Sequence, residues 1–188
     1  MYQAMSWQHG VFMGSSLSSE ATAAAEHKSG TIMHDPFSMR PFFGYNFGTY
    51  LQHWLDLGLS LPSESRPEIF MVNWFRRSVK DGSFLWPGFG ENIRVIDWII
   101  KRSQGRLGAD LCPVGLVPKQ GDLDLTGLEK QPDMEELMST PPDFWIRELE
   151  EINNYFEQQV GESLPTKMWD QLNNLKIRLA PRDMYFTK

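Results

Sequence analysis

Aromatic side chains are the feature that most limits how this sequence can fold. The chain of 188 residues contains 12 Phe, 7 Trp and 5 Tyr, together 13% of its residues, and they occur in clusters. Such an excess is typical of a densely packed core, because each ring removes a large apolar area from water. Rings can also form an exposed surface on which a planar ligand stacks. We therefore expect a packed core, a stacking surface, or both.

Composition and charge exclude several classes of protein. Hydrophobic residues at 41% and charged residues at 22% are typical of a globular chain and not of a disordered one. The formal net charge of −6 gives no general attraction to a phosphate backbone, so we expect no nucleic-acid partner. Cys112 is the single cysteine, which excludes an intrachain disulfide. No apolar run approaches the roughly 20 residues that span a bilayer, so we expect no membrane partner.

The spacing of apolar residues predicts an α/β fold of the mixed α+β kind. Short runs rich in strand-forming residues indicate strands at 31–34, 69–72 and 84–86. Apolar residues at steps of three and four indicate amphipathic helices at 45–57, 92–105, 144–160 and 168–179. We expect the last two of these helices to cover the core.

Five aromatic residues lie on the two sides of a polar turn in the segment 73–92. Short runs on either side of the turn favour a hairpin with Asp81-Gly82 at its tip. The hairpin would bring together four rings, which are those of Trp74, Phe75, Phe84 and Phe89. These rings either line a slot for a flat ligand such as a purine base or pack into the core. The residues alone leave both interpretations open.

Polar residues follow the last ring of this segment. Glycines on both sides of Phe89, the second of them Gly90, allow a flat ring to approach the backbone closely. Glu91 offers an acceptor, and the side-chain amide of Asn92 offers donors and an acceptor. These groups suit the polar edge of a base. Alternatively, Asn92 is the N-cap of the helix that follows.

Residues 19–28 also allow two interpretations. Ser19 as an N-cap, the alanines that follow and Gly30 as a terminator favour a helix. The segment has no large apolar residue that would anchor one face of a helix, however. Small residues flanked by Ser and Gly also form mobile loops that become ordered when a ligand binds.

Sequence motifs for phosphate and metal binding are absent. No G-x-x-x-x-G-K-[ST] motif occurs, and Gly88-Phe89-Gly90 lacks the third glycine of a dinucleotide fingerprint. No two histidines have the i, i+4 spacing of a helical metal site, so we expect no metal ligands and structural roles for His34 and His53. No G-x-S-x-G motif indicates a serine nucleophile, and we expect Cys112 to be a small buried residue.

Three segments resemble the GTP-dependent phosphoenolpyruvate carboxykinase family. The segments read SEATAAAEHK at 19–28, MHDPFSMRPFFGYNFG at 33–48 and FLWPGFGEN at 84–92. They follow one another in the family's order, and a looser similarity extends over most of the chain. Matches of this length are far more specific than a short motif. They correspond to the C-terminal third of the family's usual chain.

The resemblance implies a fold, a reaction and cofactors. The fold would be the C-terminal part of a nucleotide-binding carboxykinase domain over 1–188, a mixed sheet covered by the terminal helices at 143–180. The family decarboxylates oxaloacetate and transfers the γ-phosphoryl group of GTP, giving phosphoenolpyruvate, GDP and carbon dioxide in gluconeogenesis. Its partners would be these small molecules, and the full-length enzyme would be a monomer. Mn²⁺ and Mg²⁺ are expected in that enzyme, with their ligands outside this chain.

The resemblance also implies site residues. Phe75, Phe84 and Phe89 would enclose guanine, and Asn92 would read its edge. The full guanine-binding set within 73–92 is Trp74, Phe75, Phe84, Phe89, Gly90, Glu91 and Asn92. An Ω-loop at 18–30 would close over the substrates as a lid, and its residues are Ser19, Glu20, Ala21, Thr22, Ala23, Ala24, Ala25, Glu26, His27 and Lys28.

The sequence differs from the family's usual one at one point, and the resemblance places the family's catalytic groups outside this chain. Leu17-Ser18 stands where the family commonly has Met-Arg, which removes a charged anchor from the edge of the lid. The family's phosphate-binding loop, metal ligands and catalytic lysine precede the matching region, so we assign no catalytic residue and expect the chain to be inactive alone. The alternative is a truncated, non-catalytic nucleotide-binding or interaction module. No signal-peptide pattern is visible, so we expect a cytoplasmic location, with a mitochondrial one as the alternative.

Overall fold

The computed structural model describes residues 1–20 and 32–180, which belong to two compact units. The first, here named the sheet unit, comprises Met1–Met5 and Glu68–Pro141. The second, here named the helical unit, comprises Ser6–Pro67 and Pro142–Lys188, apart from the residues outside the described ranges.

Helices and strands alternate irregularly along the chain. The described ranges contain six α-helices: α1 (Trp7–Ser15), α2 (Phe47–Ser60), α3 (Asn92–Ser103), α4 (Met134–Met138), α5 (Pro142–Tyr155) and α6 (Thr166–Leu179). They also contain six strands: β1 (Tyr2–Gln3), β2 (Ser18–Glu20), β3 (Ile32–His34), β4 (Phe70–Met71), β5 (Asp110–Cys112) and β6 (Gly115–Val117). None of these helices is long and apolar enough to cross a membrane.

The predicted helices are confirmed, and so is the α/β class. The spacing of apolar residues places α2, α3 and α6 correctly to within about three residues at each end. The predicted helix at 144–160 is α5, which continues as a π-helical turn over Phe156–Val160. Two predicted strands, 31–34 and 69–72, are confirmed as β3 and β4. Ser19 lies in β2 and not at a helix N-cap, so that part of the helical alternative for 19–28 is wrong.

The sheet unit is built on a four-stranded antiparallel sheet in the order β4-β1-β6-β5. Strand β1 lies between two strands that are distant in the sequence, because Gln3 pairs with Phe70 on one side and with Leu116 on the other. The buried side-chain oxygen of Gln3 accepts hydrogen bonds of 2.9 and 2.7 Å from the guanidinium of Arg102. These bonds attach helix α3 to the sheet.

An apolar cluster, here named the Trp86 cluster, forms part of the core of the sheet unit. Its buried members are Trp86, Val95 and Leu137. Eight half-buried apolar residues pack against these three: Met1, Val72, Trp74, Leu85, Ile99, Leu125, Met134 and Met138. The cluster joins the segment 73–92, helix α3 and helix α4, which are the parts of this unit that form the site described below.

Four α-helices lie in the described part of the helical unit; α1 is buried on nearly all sides, and α2, α5 and α6 each bury one face. Helix α1 packs against α2 and α6, and α5 packs against α6. The side chains with almost no exposed surface are Val11, Leu51, Phe156, Met168 and Leu172. Strands β2 and β3 form a separate antiparallel pair in which Ser18 lies opposite His34.

A cluster of rings around Phe37 fixes the chain between β3 and α2. Phe37 and Ser38 both have positive φ, at 52° and 56°, a conformation that costs a residue other than glycine roughly 1–2 kcal/mol. The ring of Phe37 stacks on Trp54 at a centroid distance of 5.9 Å and meets Tyr50 edge to face at 5.8 Å. It also leaves no room for a side chain at Gly14, where a Cβ atom would lie 2.6 Å from the ring. The burial of the aromatic ring offsets the backbone strain.

The contact between Trp7 and Gly58 gives a first testable prediction. A Cβ atom at Gly58 would lie 2.1 Å from Cδ1 of Trp7, whose indole N–H donates to the carbonyl of Trp54 at 2.8 Å and so resists displacement. We expect Gly58→Ala to lower the free energy of unfolding by about 1–3 kcal/mol, measured by denaturant titration. Gly44→Ala is the control, because no atom lies within 4 Å of the added methyl group. Equal stability of the two variants would contradict the prediction.

The burial of His9 predicts how stability depends on pH. Burial, with a smaller effect of the Arg178 cation, lowers the pKa of His9 from 6.5 to about 4. The unfolded chain therefore binds more protons than the folded one between these two values. We expect the free energy of unfolding to rise by as much as about 3 kcal/mol from pH 4 to pH 6.5 and to change little through this group above it. His9→Gln should flatten this rise in a denaturant titration repeated at each pH, and an unchanged slope would contradict the assignment.

Candidate functional site

A cleft of about 1280 Å³ lies within the sheet unit. One wall is the segment 74–92, which we name the ring wall. The rest of the cleft is lined by residues 127–133 and by Glu136 of helix α4. We name residues 124–133 the loop wall, since 124–126 anchor this part to α3 as described below. All seven predicted guanine-binding residues line the cleft: Trp74, Phe75, Phe84, Phe89, Gly90, Glu91 and Asn92.

The turn in the ring wall is closed by few backbone contacts. Arg77 and Phe84 form a single antiparallel bridge, and the amide of Leu85 donates to the carbonyl of Arg76 at 2.9 Å. The predicted returning strand at 84–86 is therefore wrong. Two features oppose a strand here. The Asp81 carboxylate accepts from the amide of Ser83 at 2.9 Å, and Pro87 has no N–H group to donate to a strand partner.

Three phenylalanine rings of this wall are exposed. The exposed fraction is 73% for Phe75, 50% for Phe84 and 92% for Phe89. Phe75 meets Phe84 edge to face, with a centroid distance of 6.1 Å and an angle of 62° between the ring planes. The guanidinium of Arg77 lies 4.0 Å from the centre of the Phe84 ring, a cation–π contact. These rings lie outside the apolar core, so they are available to a ligand.

The two tryptophans of this wall lie deeper than the phenylalanines. Trp86 is only 4% exposed and belongs to the Trp86 cluster. Trp74 packs half-buried against the same cluster while also lining the cleft. Gly88 separates the buried Trp86 from the exposed Phe89, and its φ of 124° is one that other residues rarely adopt. The glycine therefore lets the chain turn from the core to the surface within three residues.

Asn92 is the first residue of helix α3 and not its N-cap, so the prediction of a cap is wrong. The capping position belongs to Glu91, at the end of a 3₁₀ turn over Phe89–Glu91. Asn92 has the dihedral angles of a residue inside the helix, and Glu91 at the capping position makes no side-chain capping bond. Its side-chain oxygen instead accepts a hydrogen bond of 2.9 Å from the indole N–H of Trp86.

Arg94 joins the start of helix α3 to the loop wall. Its Nε donates to the carboxylate of Glu91 at 2.6 Å, one helical turn away. Its two terminal nitrogens donate to the carbonyls of Asp124 and Thr126, the second at 2.9 Å. The sequence offered one indication of this role, the i, i+3 spacing from Glu91, but nothing that pointed to the loop wall 30 residues further on.

Helix α4 holds the polar turn of the ring wall. The carboxylate of Glu136 accepts from the amide of Val79 at 2.8 Å and from the hydroxyl of Ser78 at 3.2 Å. Arg76 donates to the carbonyls of Leu137 and Ser139, at 2.8 and 2.9 Å, at the other end of the helix. Neither contact was predicted from the sequence.

The charge of the cleft is acidic. Its charged lining residues are two cations and five anions: Lys80, Lys130, Asp81, Glu91, Glu129, Asp133 and Glu136. The amide of Glu136 donates to Asp133, and this bond, helped by Lys80, lowers the pKa of the Asp133 carboxyl. A lining with this balance does not attract phosphate, so it suits an uncharged ring system with polar edges.

The structure describes the predicted lid at its start, up to Glu20. Ser19 and Glu20 lie in strand β2, opposite Met33 and Ile32 of β3. The hydroxyl of Ser19 donates to the carboxylate of Asp35 at 3.0 Å. The other predicted lid residues lie outside the described residues; they are Ala21, Thr22, Ala23, Ala24, Ala25, Glu26, His27 and Lys28.

The metal and histidine predictions concern residues outside the cleft. The described ranges hold no group of three or more His, Cys, Asp or Glu side chains that could bind a metal ion. The ring of His34 stacks on Tyr155 with a centroid distance of 4.4 Å, which is a structural contact. Cys112 is half-buried in β5 and not fully buried as expected.

Comparison with known proteins identifies a family. Residues 1–178 match the profile of the family described as "Phosphoenolpyruvate carboxykinase C-terminal P-loop domain". The chain is 54% identical over 179 residues to "Phosphoenolpyruvate carboxykinase [GTP], mitochondrial" of Mus musculus, covering 95% of this chain and 28% of that protein. It is 52% identical over 180 residues to "Phosphoenolpyruvate carboxykinase, cytosolic [GTP]" of Bos taurus, covering 96% and 28%.

The similarity extends to more distant animals and covers a limited part of each relative. Over 173 residues the chain is 49% identical to "Phosphoenolpyruvate carboxykinase [GTP]" of Ascaris suum, covering 92% of this chain and 26% of that protein. The chain thus spans little more than a quarter of the length of these curated relatives. Both cytosolic and mitochondrial forms occur among them, so they do not decide the compartment.

The role of Arg94 gives a prediction for the architecture of the cleft. Arg94→Leu removes both hydrogen bonds to the loop wall, and each is worth about 1 kcal/mol. We expect amide hydrogen exchange at residues 124–131 to become roughly tenfold faster, measured by mass spectrometry. Arg106→Leu is the control, because the side chain of Arg106 is exposed and, among the described residues, donates to Gln104 alone. Unchanged exchange in the Arg94 variant would show that the loop wall is held by other contacts.

Proposed function

The chain belongs to the GTP-dependent phosphoenolpyruvate carboxykinase family, and from this premise we propose that it is the part of such an enzyme that recognises guanine and carries the lid. The observation that carries this proposal is the cleft, which is lined by three exposed phenylalanine rings and by Asn92, whose side chain ends in an amide. The rings offer stacking faces, and the amide offers an edge partner for a base.

The proposed reaction of the whole enzyme follows from the names of the relatives, which are GTP-dependent phosphoenolpyruvate carboxykinases. Decarboxylation breaks a carbon–carbon bond of oxaloacetate, and the released electron pair forms the enolate of pyruvate. The enolate oxygen attacks the γ-phosphorus of GTP, and GDP leaves. Oxaloacetate, GTP and phosphoenolpyruvate are thus the proposed small-molecule partners, in gluconeogenesis, of an enzyme that we propose acts as a monomer.

The contribution of this chain to that reaction is binding and not bond breaking. The cleft residues are rings, amides and an acidic majority of charges, which fit a base better than a triphosphate. No described cluster of side chains fits Mn²⁺ or Mg²⁺, so we derive no step through a metal and propose that the metal ligands lie elsewhere in the enzyme. The segment by itself is therefore proposed to be inactive.

Stacking on guanine requires a small rearrangement of the exposed rings. Phe75 and Phe84 now contact each other at an angle of 62°, so they do not yet form a parallel slot. Both side chains are half or more exposed, and exposed side chains change rotamer within nanoseconds. A base can therefore separate the two rings, and Phe89, which contacts no other described ring, is free to cover it.

Contacts of the residues at the start of the lid segment support the proposal of a lid. Asp35, which follows the lid segment, accepts from the hydroxyl of Ser19 and from the amide of Arg40, both at 3.0 Å, so the start of the lid segment is bonded to the chain that follows it. Ser18 stands where the family commonly has arginine, and its hydroxyl lies 3.4 Å from Nδ1 of His34. A closed lid would exclude water, so that the enolate is phosphorylated and not protonated.

Guanosine binding tests this proposal. We expect the 188-residue chain to bind guanosine, and Phe89→Ala to weaken binding roughly tenfold, because stacking on one ring is worth about 1–3 kcal/mol. Dissociation constants would be measured by NMR titration. Phe144→Ala is the matched control, since Phe144 is also exposed but lies in the helical unit. Absence of guanosine binding by the parent chain, or an unaffected Phe89 variant, would refute the assignment.

A further inference from the structure

We propose that Trp86 determines the base selectivity of the cleft by fixing the orientation of the Asn92 side-chain amide. This inference rests on the proposed binding of a purine in the cleft. It concerns a residue that does not itself stack on the base, since the ring of Trp86 is only 4% exposed and packs in the Trp86 cluster. Trp86 is therefore a positioning residue that acts through Asn92.

The orientation of the amide follows from the chemistry of its partner. The indole nitrogen of Trp86 lies 2.9 Å from the amide of Asn92. An indole N–H can only donate a hydrogen bond, so the amide atom that faces it must be the oxygen. The opposite orientation would place an NH₂ group against an N–H group, and two donors repel. The assignment of oxygen and nitrogen in Asn92 thus depends on Trp86 alone.

Trp86 is a rigid reference point for this contact. Its ring is packed against Val95 and Leu137, so it cannot turn to follow the amide. The hydrogen bond also gives the buried indole N–H a partner. Without a partner, this N–H would shift the folding equilibrium about tenfold or more towards the unfolded state. Both facts keep the amide oxygen of Asn92 engaged with the indole.

The fixed oxygen leaves the amide NH₂ group as the donor that Asn92 can offer. Within the part of the chain that the structure describes, no acceptor for this nitrogen is found, and Asn92 lines the cleft. Glu91 beside it is already engaged by Arg94 at 2.6 Å. A ligand in the cleft therefore meets an NH₂ group at this position.

An NH₂ donor distinguishes the two kinds of purine. Guanine and hypoxanthine carry an oxygen acceptor at position 6, whereas adenine carries an amino group there. The donor pairs with the oxygen and opposes the amino group. If the amide were free to flip, it would present its oxygen to adenine equally well. The hydrogen bond from Trp86 thus makes Asn92 selective for 6-oxopurines.

Helix α3 supplies a matched control for this inference. Trp98 is also buried in the sheet unit, and its indole nitrogen has no hydrogen-bond partner among the described residues. Replacing either tryptophan by phenylalanine removes the same atoms from the interior. Only the change at position 86 releases the amide of Asn92.

The experiment compares base selectivity in Trp86→Phe and Trp98→Phe. Guanosine, inosine and adenosine would be titrated into the 188-residue chain and its variants, with NMR as the readout. In the parent we expect guanosine and inosine to bind more tightly than adenosine. In Trp86→Phe we expect the ratio of guanosine to adenosine affinity to fall about tenfold, whereas Trp98→Phe should keep the parent ratio.

A second substitution separates selectivity from folding. If Trp86→Phe does not fold, 3-benzothienylalanine at position 86 replaces the N–H group by sulfur and keeps the size of the ring. The same loss of selectivity is expected. A parent ratio in a folded variant at position 86 would overturn the role of Trp86 while leaving purine binding intact. Absence of guanosine binding by the parent would instead overturn the proposed function and this inference together.

Discussion

Side chains that bind backbone groups hold the cleft together. The ring wall has one isolated bridge and three backbone hydrogen bonds across its turn, so most of its backbone lacks the hydrogen bonds that longer paired strands would supply. Arg76, Arg94 and Glu136 supply them instead, at the carbonyls of helix α4, at the carbonyls of the loop wall and at the amide of Val79. Because each is charged and half-buried or at the rim, these bonds are stronger than those between neutral groups. Arg76 and Glu136 thus join the ring wall to helix α4, and Arg94 joins the start of helix α3 to the loop wall.

Residues close in sequence have opposite roles in this site. Trp86 is 4% exposed and Phe89 is 92% exposed, although only three positions separate them. Pro87 and Gly88 make this possible, since the proline ends the pairing and the glycine adopts a φ of 124°. The buried ring of Trp86 stabilises the sheet unit. The ring of Phe89 leaves apolar surface in water and does not stabilise the fold. An exposed ring at the rim of a cleft is best explained by binding.

Local patterns could be predicted from the sequence, and distant pairings could not. Helices α2 and α6 follow from apolar residues at steps of three and four, which depend only on neighbours. Strand β1 has two residues and is defined by partners such as Leu116, so no local signal reveals it. The N-cap alternative for Asn92 is wrong because its partner is the buried Trp86, a tertiary contact that local spacing does not reveal. The contacts of Arg94 could not be predicted either, because its acceptors lie about 30 residues further along the chain.

The acidic lining of the cleft limits how tightly this chain can bind a nucleotide. Stacking contributes roughly 1–3 kcal/mol for each ring, and a single neutral hydrogen bond adds about 1 kcal/mol. Part of this binding free energy is lost because exposed rings such as Phe75 and Phe89 become ordered. We therefore expect a dissociation constant near the millimolar range for the base alone. The phosphates gain little from a cleft with more anions than cations. In the proposed enzyme, tight binding therefore requires that the base and the phosphates be held by different parts of the protein. Each part then raises the effective concentration of the ligand for the other, and this chain contributes selectivity more than affinity.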